Sequence, residues 1–300
     1  MKLFFVLMLT SSLCFGEKIN LVIPFAPGGN LDNIARLIIE TANKQGNTII
    51  PVYKVGGDGI VGTNYVANKN EENTLLFGSN GPLVYAPLLK NIEITYDPIK
   101  HLIPIILTTK VYNVIITHPS TQIRNLNTLL SMNRKSDKFM FSSSSPITIF
   151  HLQKIFGEDT LIITHKIASI GMISVASGDI PFGMATISTA LPFIRSGKIL
   201  SIAVTSPERL LMFRNIPSLN ESIPGLEIST WNGVFANHQH ESPNRYYPIF
   251  KKVISDESFR NKLDNLSISI PELNDAIHLN RLLVEEIKTY STLKISRKIP

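Results

Sequence analysis

Short runs of strand-forming residues alternate with amphipathic stretches along the chain, and that order limits the folds open to it. Residues 19–25 read as a strand, and 31–43 place Leu31, Ile34, Ala35, Ile38 and Ala42 on one helical face. The strand "TIIPVYKV" (48–55), the glycine-rich loop 56–62, a short helix "TNYVANK" and the strand "NTLLFGSN" (73–80) complete a βαβαβ unit. Such a unit builds a parallel sheet with helices on its faces, because a crossover between parallel strands has to leave the plane of the sheet. A second cycle places strands at 138–145, 159–167, 179–186 and 199–205. Helices at 148–156, 169–177 and 188–196 separate them and stop at Gly157, Gly178 and Gly197. Between the cycles, the apolar stretch 102–117 can supply two strands; 226–237 reads as one more strand, and the remainder as helical up to about residue 292. Two α/β lobes are the expected outcome for a chain of 300 residues.

The first sixteen residues read as a secretory leader: Lys2, the apolar block "LFFVLMLTSSLCF", and small residues Cys14 and Gly16 before a cleavage after Gly16. The block is shorter than the roughly 20 apolar residues that span a bilayer. Lipid attachment at Cys14 is the alternative, but Leu13 is bulkier than such processing prefers. Cleavage removes the only cysteine, and with it any disulfide, thiol nucleophile or thiolate metal site. The exported chain is then expected to be free of the membrane and held together by hydrophobic burial.

The net charge is +6, but Lys54, Lys69, Lys90, Arg124, Arg134, Lys135, Arg195 and Lys198 are scattered. A nucleic-acid binder concentrates its cations in a stripe, so no nucleic-acid partner is expected. The excess gives at most a weak field favouring anions.

The first strand ends in "PFAPGGN" and passes directly into a helix. First-turn amides have no partner within a helix, the helix dipole is positive there, and glycines let a ligand approach the backbone. The segment therefore has the make-up of a carboxylate or phosphate cradle, although a tight connection alone explains the same letters. No Gly-Lys-Ser/Thr ending follows Gly29, and "PGGNLDN" after the first strand lacks the G-x-G-x-x-G of a dinucleotide loop, so neither common nucleotide loop stands at this turn. No G-x-S-x-G elbow appears either, so an exported hydrolase is a minor alternative and no catalytic residue is expected. "HQH" (238–240) has no third ligand at a recognisable spacing; it reads as an exposed loop, and no metal is expected.

The stretch "LVIPFAPGGNLDNIAR" resembles the first strand–loop–helix of the extracytoplasmic solute receptors of tripartite tricarboxylate transporters, the Bug family. Pro24, Phe25, Gly28, Gly29, Asp32, Ala35 and Arg36 fall in register with that family's V-P-F-x-x-G-G-x-x-D-x-x-A-R. "YDPIKHLIPI", "FSSSSPITIFHL", "LPFIRSGKILSIAVTSPER", "IPSLNES" and "WNGVFA" are similar to further family segments in the same order.

The resemblance implies a two-lobed periplasmic binding protein-like α/β fold of type II. Lobe 1 would comprise 17–117 plus 228–300 and lobe 2 118–227, with crossovers near Thr117–Pro119 and Trp231 acting as a hinge. It implies a monomeric periplasmic receptor, needing no cofactor, that delivers a small carboxylate to a two-subunit membrane permease. Presentation of the bound solute to a sensor kinase is the alternative use. Carried over by position, the lobe 1 contacts are Phe25, Ala26, Gly28, Gly29, Asn30 and the Asp32 region, with Ser79, Asn80 and Gly81 from the third strand. Asp32 would order the loop or a water, or act as a first-turn acid favoured by the helix dipole. Lobe 2 would contribute Ser143, Ser145, Thr148, His151, Ala168, Ser169 and Thr186. Helix capping is the plainer role for Ser145 or Thr148, and packing for His151. Departures from the family pattern fall at Asp58, Ser145, Ile147, His165, Lys166, Ile167 and Pro181, near the cleft, and bear on which ligand is held.

Overall fold

A computed structural model describes residues 18–69, 71–88, 94–132, 139–165, 168–240 and 242–291; the leader lies outside them. Lobe 1 begins with β1 (Lys18–Ile23), α1 (Asn30–Lys44), β2 (Thr48–Tyr53), α2 (Ile60–Asn68) and β3 (Thr74–Ser79). β1 lies between β2 and β3 and is parallel to both. A π-helical turn, Gly81–Tyr85, and the one-turn α3 (Pro98–His101) lead into β4 (Leu102–Thr117), a single strand of 16 residues.

Lobe 2 consists of α4 (Leu126–Ser131), β5 (Met140–Ser143), α5 (Pro146–Phe156), β6 (Leu161–Thr164), α6 (Ala168–Ala176), β7 (Phe182–Thr186), α7 (Ile187–Arg195) and β8 (Leu200–Val204). The chain then returns through β9 (Ser229–Asn237), α8 (Tyr247–Ser255), α9 (Glu257–Asp264), β10 (Ile268–Ser269) and α10 (Ala276–Ser291). The C-terminal region, expected to be helical throughout, is thus interrupted by β10, which pairs with β4 at Val111 and Lys110.

The stretch 102–117, expected to supply two strands, is one strand used twice. Leu102–Tyr112 pairs with β9, and Asn113–Thr117 pairs with β7 and β8. The exchange of partners falls between Tyr112 and Asn113, so one continuous strand carries the chain from one lobe to the other.

This topology decides where the strand ends point. β3 is antiparallel to β9 and β9 to β4, so β1, β2 and β3 run with β4, towards lobe 2. β7 is antiparallel to β4 and parallel to β5, which is parallel to β6, so these three run back towards lobe 1. The carboxyl ends of both sets therefore face one another across the cleft, where open α/β sheets hold ligands.

Each lobe is packed on both faces of its sheet. In lobe 1, Ile34, Ile38 and Ala42 of α1 meet Leu21, Leu75 and Phe250 on one face, while Val22, Leu76, Trp231, Leu279 and Leu283 fill the other. In lobe 2, Phe139, Phe141, Phe156 and Phe182 form an aromatic cluster, with Phe141 stacked on Phe156 at 4.9 Å.

Candidate functional site

The loop after β1 is held from below. The Asp32 carboxylate accepts hydrogen bonds from the Gly28 amide (2.7 Å), Arg36 Nε (2.8 Å) and the Tyr53 hydroxyl (2.6 Å), and the residue is 1% exposed. Burial alone would raise its pKa, but the bonds from Tyr53, Arg36 and Gly28 outweigh burial and hold the carboxyl below the usual carboxylate range. Gly28 has φ +85°, a conformation that admits glycine at little cost. Gly29 sits at the N-cap of α1 without a side chain to cap it. The amides of Asn30, Leu31 and Asp32 consequently find no acceptor among the described residues, the first internal bond being Asn33 N–H to Gly29 O at 3.0 Å. Asp32 thus faces inward while the unpaired amides remain at the strand end.

The loops after β2 and β3 buttress this cradle. A Cβ on Gly59 would stand 2.9 Å from the Phe25 ring and 3.1 Å from Pro82, so the three loops meet in van der Waals contact there. Residues Gly56, Gly57, Asp58 and Gly59 all have positive φ (144°, 55°, 52° and 92°), and only Asp58 among them carries a side chain. Asp58→Gly is therefore expected to raise stability by roughly 0.5–1 kcal/mol through relief of left-handed strain, as read by urea unfolding. Ser79 and Asn80 are buried. The Asn80 amide, placed in the cleft by sequence, instead donates to the Tyr85 hydroxyl (3.1 Å) and the Ser229 carbonyl (3.0 Å), tying the π-helical turn to the start of β9. Gly81 opens that turn.

On the lobe 2 side, Ser143 and Thr148 share a short hydroxyl–hydroxyl bond, and Thr148 also donates to the Ser145 carbonyl at 2.8 Å. Ser145 occupies the N-cap of α5, yet its side chain makes no capping bond. His151 is packed between the lobes: it is 4% exposed, and its Nε2 is 2.9 Å from the Tyr290 hydroxyl of α10. Burial, with a smaller contribution from Lys154, pushes its imidazole down to about 3, so it is neutral at all ordinary pH. Ala168 and exposed Ser169 begin α6; His165 packs against the first turn of that helix at Gly171, and Lys166 and Ile167 lie outside the described residues. Thr186, the N-cap of α7, shares a bond with Thr189 at 2.8 Å.

One cross-cleft contact escaped the sequence reading. Ser188, in the first turn of α7, donates to the Asn30 side-chain oxygen at 2.9 Å, joining the lobe 2 wall to the cradle. Its only signal in sequence is its place two residues after the β7 strand end. Asn30, Thr186 and Ser188 are thus brought together, whereas His151 and the Asn80 amide are turned to structural tasks.

The "HQH" segment, expected to be an exposed loop, is only partly so. His238 is exposed and lies tilted against His101 with ring centres 5.4 Å apart, but His240 is buried with Nε2 3.2 Å from the Tyr246 hydroxyl. Among the described residues, no group of three or more His, Cys, Asp or Glu side chains is arranged to hold a metal, and no helix is long and apolar enough to cross a membrane.

The fold has close counterparts among solved structures. MatC from Rhodopseudomonas palustris, solved with bound malate, superposes with a TM-score of 0.79 at 22% identity, over 92% of this chain and 98% of that one. An R. palustris protein solved with adipate gives 0.79 at 21% identity, over 92% and 95%. The periplasmic binding protein BugD gives 0.77 at 23% identity, again over 92% and 95%. The family model described as "Tripartite tricarboxylate transporter family receptor" matches residues 34–296. That match covers most of both lobes, and the chain belongs to the tripartite tricarboxylate transporter receptor family.

Proposed function

We propose that this protein is a periplasmic receptor that captures a small carboxylate, of the di- or tricarboxylate class, between its lobes and presents it to a two-subunit membrane permease. The observation that carries this reading is the cradle itself. The unpaired amides of Asn30, Leu31 and Asp32 stand at the carboxyl end of β1, and the nearest acid, Asp32, is turned away and held. Charge-assisted bonds from such amides to a carboxylate are short and roughly twice as strong as neutral ones. Malate in MatC and adipate in the R. palustris homologue are anions of this class, which supports the assignment. Residues 1–16 act as a cleavable export signal. Ligand closes the lobes about the points where β4 exchanges partners and β9 begins, and the closed form is what the permease reads.

A thermal-shift screen of the mature chain against malate, adipate, citrate, acidic amino acids and aromatic acids tests the reading. A ligand at 100 times its Kd adds about 2.7 kcal/mol of stability. Gly29→Val provides the control. Gly29 has φ −77°, and a Cβ there meets only Ala26 O at 3.5 Å, so the variant folds while its side chain stands over the amides. The shift is expected in the parent and lost in this variant; no shift with any acid, from folded and ligand-free protein, overturns the carboxylate assignment. Ser188→Ala removes one hydrogen bond between the lobes and is expected to weaken binding about fivefold, by isothermal titration calorimetry.

A further inference from the structure

Glu286 is a half-buried acid, its inner carboxylate oxygen shut off from water, to which the cleft gives no task. It lies on the face of α10 that carries Leu279, Leu283 and Tyr290, residues spaced four, three and four apart and so aligned along one side of the helix. Leu279 packs on Gly233 of β9, where an added Cβ would be 2.6 Å from its Cδ2. Further along the same face, Glu286 lies beside Trp231 and Asn80, and Tyr290 reaches lobe 2. The inner carboxylate oxygen of Glu286, Oε2, and the Trp231 indole nitrogen are both shut off from water without a hydrogen-bond partner. Trp231 is fully buried and stands opposite Lys110, where β4 nears its exchange of partners.

Several elements around Glu286 contribute charged or polar groups. From β4 and the approach to β9 come Lys110 and Glu227, which form an ion pair with each other. Asn80 and Tyr85 come from the end of β3 and the π-helical turn, and Tyr290 from α10 itself. The Tyr290 ring stands edge-on to Tyr85 at 4.9 Å, and its hydroxyl meets His151 of α5 at 2.9 Å. Burial pushes the Glu286 carboxyl up to about 7, with Trp231, Asn80 and Lys110 opposing the rise and Glu227 adding to it. His151 stays neutral and so does not compete with Glu286 for a proton near neutrality.

We propose that Glu286 is a proton-binding site coupled to lobe closure: the closed receptor holds its carboxyl protonated, and opening releases the proton to water. The coupling passes through α10. Tyr290, one turn beyond Glu286, grips His151 and so seals the acid against α5 only while the lobes are together. Separation breaks that contact, admits water and returns the carboxyl towards its ordinary affinity for protons. This rests on the receptor reading above, because reciprocal linkage then requires anion capture to take up a proton near neutral pH. The anion is thereby bound about tenfold more tightly at pH 6 than at pH 8.

Trp231 is the only tryptophan of the chain, so intrinsic fluorescence reports on this spot alone. The experiment titrates Trp231 emission between pH 4.5 and 8.5 in the full mature protein and in Glu286→Gln, with and without malate. Calorimetry of malate binding at pH 7, in two buffers of different ionisation enthalpy, measures proton uptake. Expected are a fluorescence midpoint near 7 in the malate-bound parent, lower in the free protein and absent in Glu286→Gln, and uptake of about half a proton on binding at pH 7 that the variant lacks. Tyr290→Phe, which keeps the ring but loses the His151 bond, should bring the bound and free midpoints together. Equal proton uptake in parent and Glu286→Gln, or emission that does not change with pH, overturns the proposal. If malate does not bind, the free-protein titration still decides: a Glu286-dependent transition upholds the proton site and its absence removes it, while the cargo assignment fails separately.

Discussion

Asp32→Ala is expected to destabilise the protein by about 3 kcal/mol and to lower affinity for its anion at least tenfold. The stability figure follows from the three donors that converge on one buried carboxylate. Hydrogen bonds to charged groups contribute about 1.5–3 kcal/mol each. Their sum has to be discounted here, because Arg36 is 55% exposed and the Gly28 amide lies at the surface, so both regain water when the acid is removed. Tyr53, half-buried, regains less. The affinity figure has a different origin. Without an acceptor for Gly28 N–H, nothing fixes the turn at φ +85° that aims the first amides of α1 into the cleft. The cradle then has to be ordered at the moment of binding, and the ligand's affinity falls by the fraction of time it is ordered. Asp32→Asn, which keeps an acceptor but loses the charge, should fall between parent and alanine variant in both urea unfolding and calorimetric titration. Loss of stability without loss of affinity would mean that the loop is ordered by its contacts with Gly59 and Pro82 instead.

Much of this architecture was legible in the letters, for identifiable reasons. The strands β1, β2 and β3 and the helix α1 announce themselves through local periodicity, and the cradle through a proline and two glycines at a strand-to-helix turn. What local pattern cannot display is a partner far away in the chain. The run 102–117 has the same apolar character throughout, so nothing in it marks the point between Tyr112 and Asn113 where β9 gives way to β7 and β8. Asn80 and Ser229 are 149 positions apart, and His151 and Tyr290 are 139 apart. A polar residue next to a glycine at a strand end looks the same whether its amide faces a ligand or a backbone carbonyl. The Ser188–Asn30 contact spans 158 positions and depends on how the two lobes meet. The family resemblance supplied the facing of the lobes, but not the tasks this chain gives to individual side chains.

With malate bound and the lobes closed, Glu286→Gln is expected to gain about 2.5 kcal/mol of stability relative to the parent between pH 5 and pH 8. The carboxyl lies at about 7 in the folded protein against 4.5 ordinarily, and each tenfold difference in proton affinity corresponds to about 1.4 kcal/mol. The folded state therefore holds a proton that the unfolded chain has released. The stabilisation is present at acid pH and is lost as pH rises through about 7, so at pH 8 the parent bears the burden of a half-buried, ionised acid that the variant does not. His151 acts in the opposite sense. Its folded value of about 3 lies below the ordinary 6.5, so the fold prefers the neutral ring. That preference is complete above pH 6.5, and stability is lost as pH falls below it, because the unfolded chain then binds the proton. The two residues sit on either side of Tyr290 and tilt the stability curve in opposite directions, which leaves the parent's own profile nearly flat around pH 6. Urea unfolding of the parent alone would show little. In the difference between parent and Glu286→Gln the His151 contribution cancels, and a rise confined to the alkaline side of pH 5 identifies Glu286. A difference that does not vary with pH would mean that water reaches the carboxyl even in the closed protein.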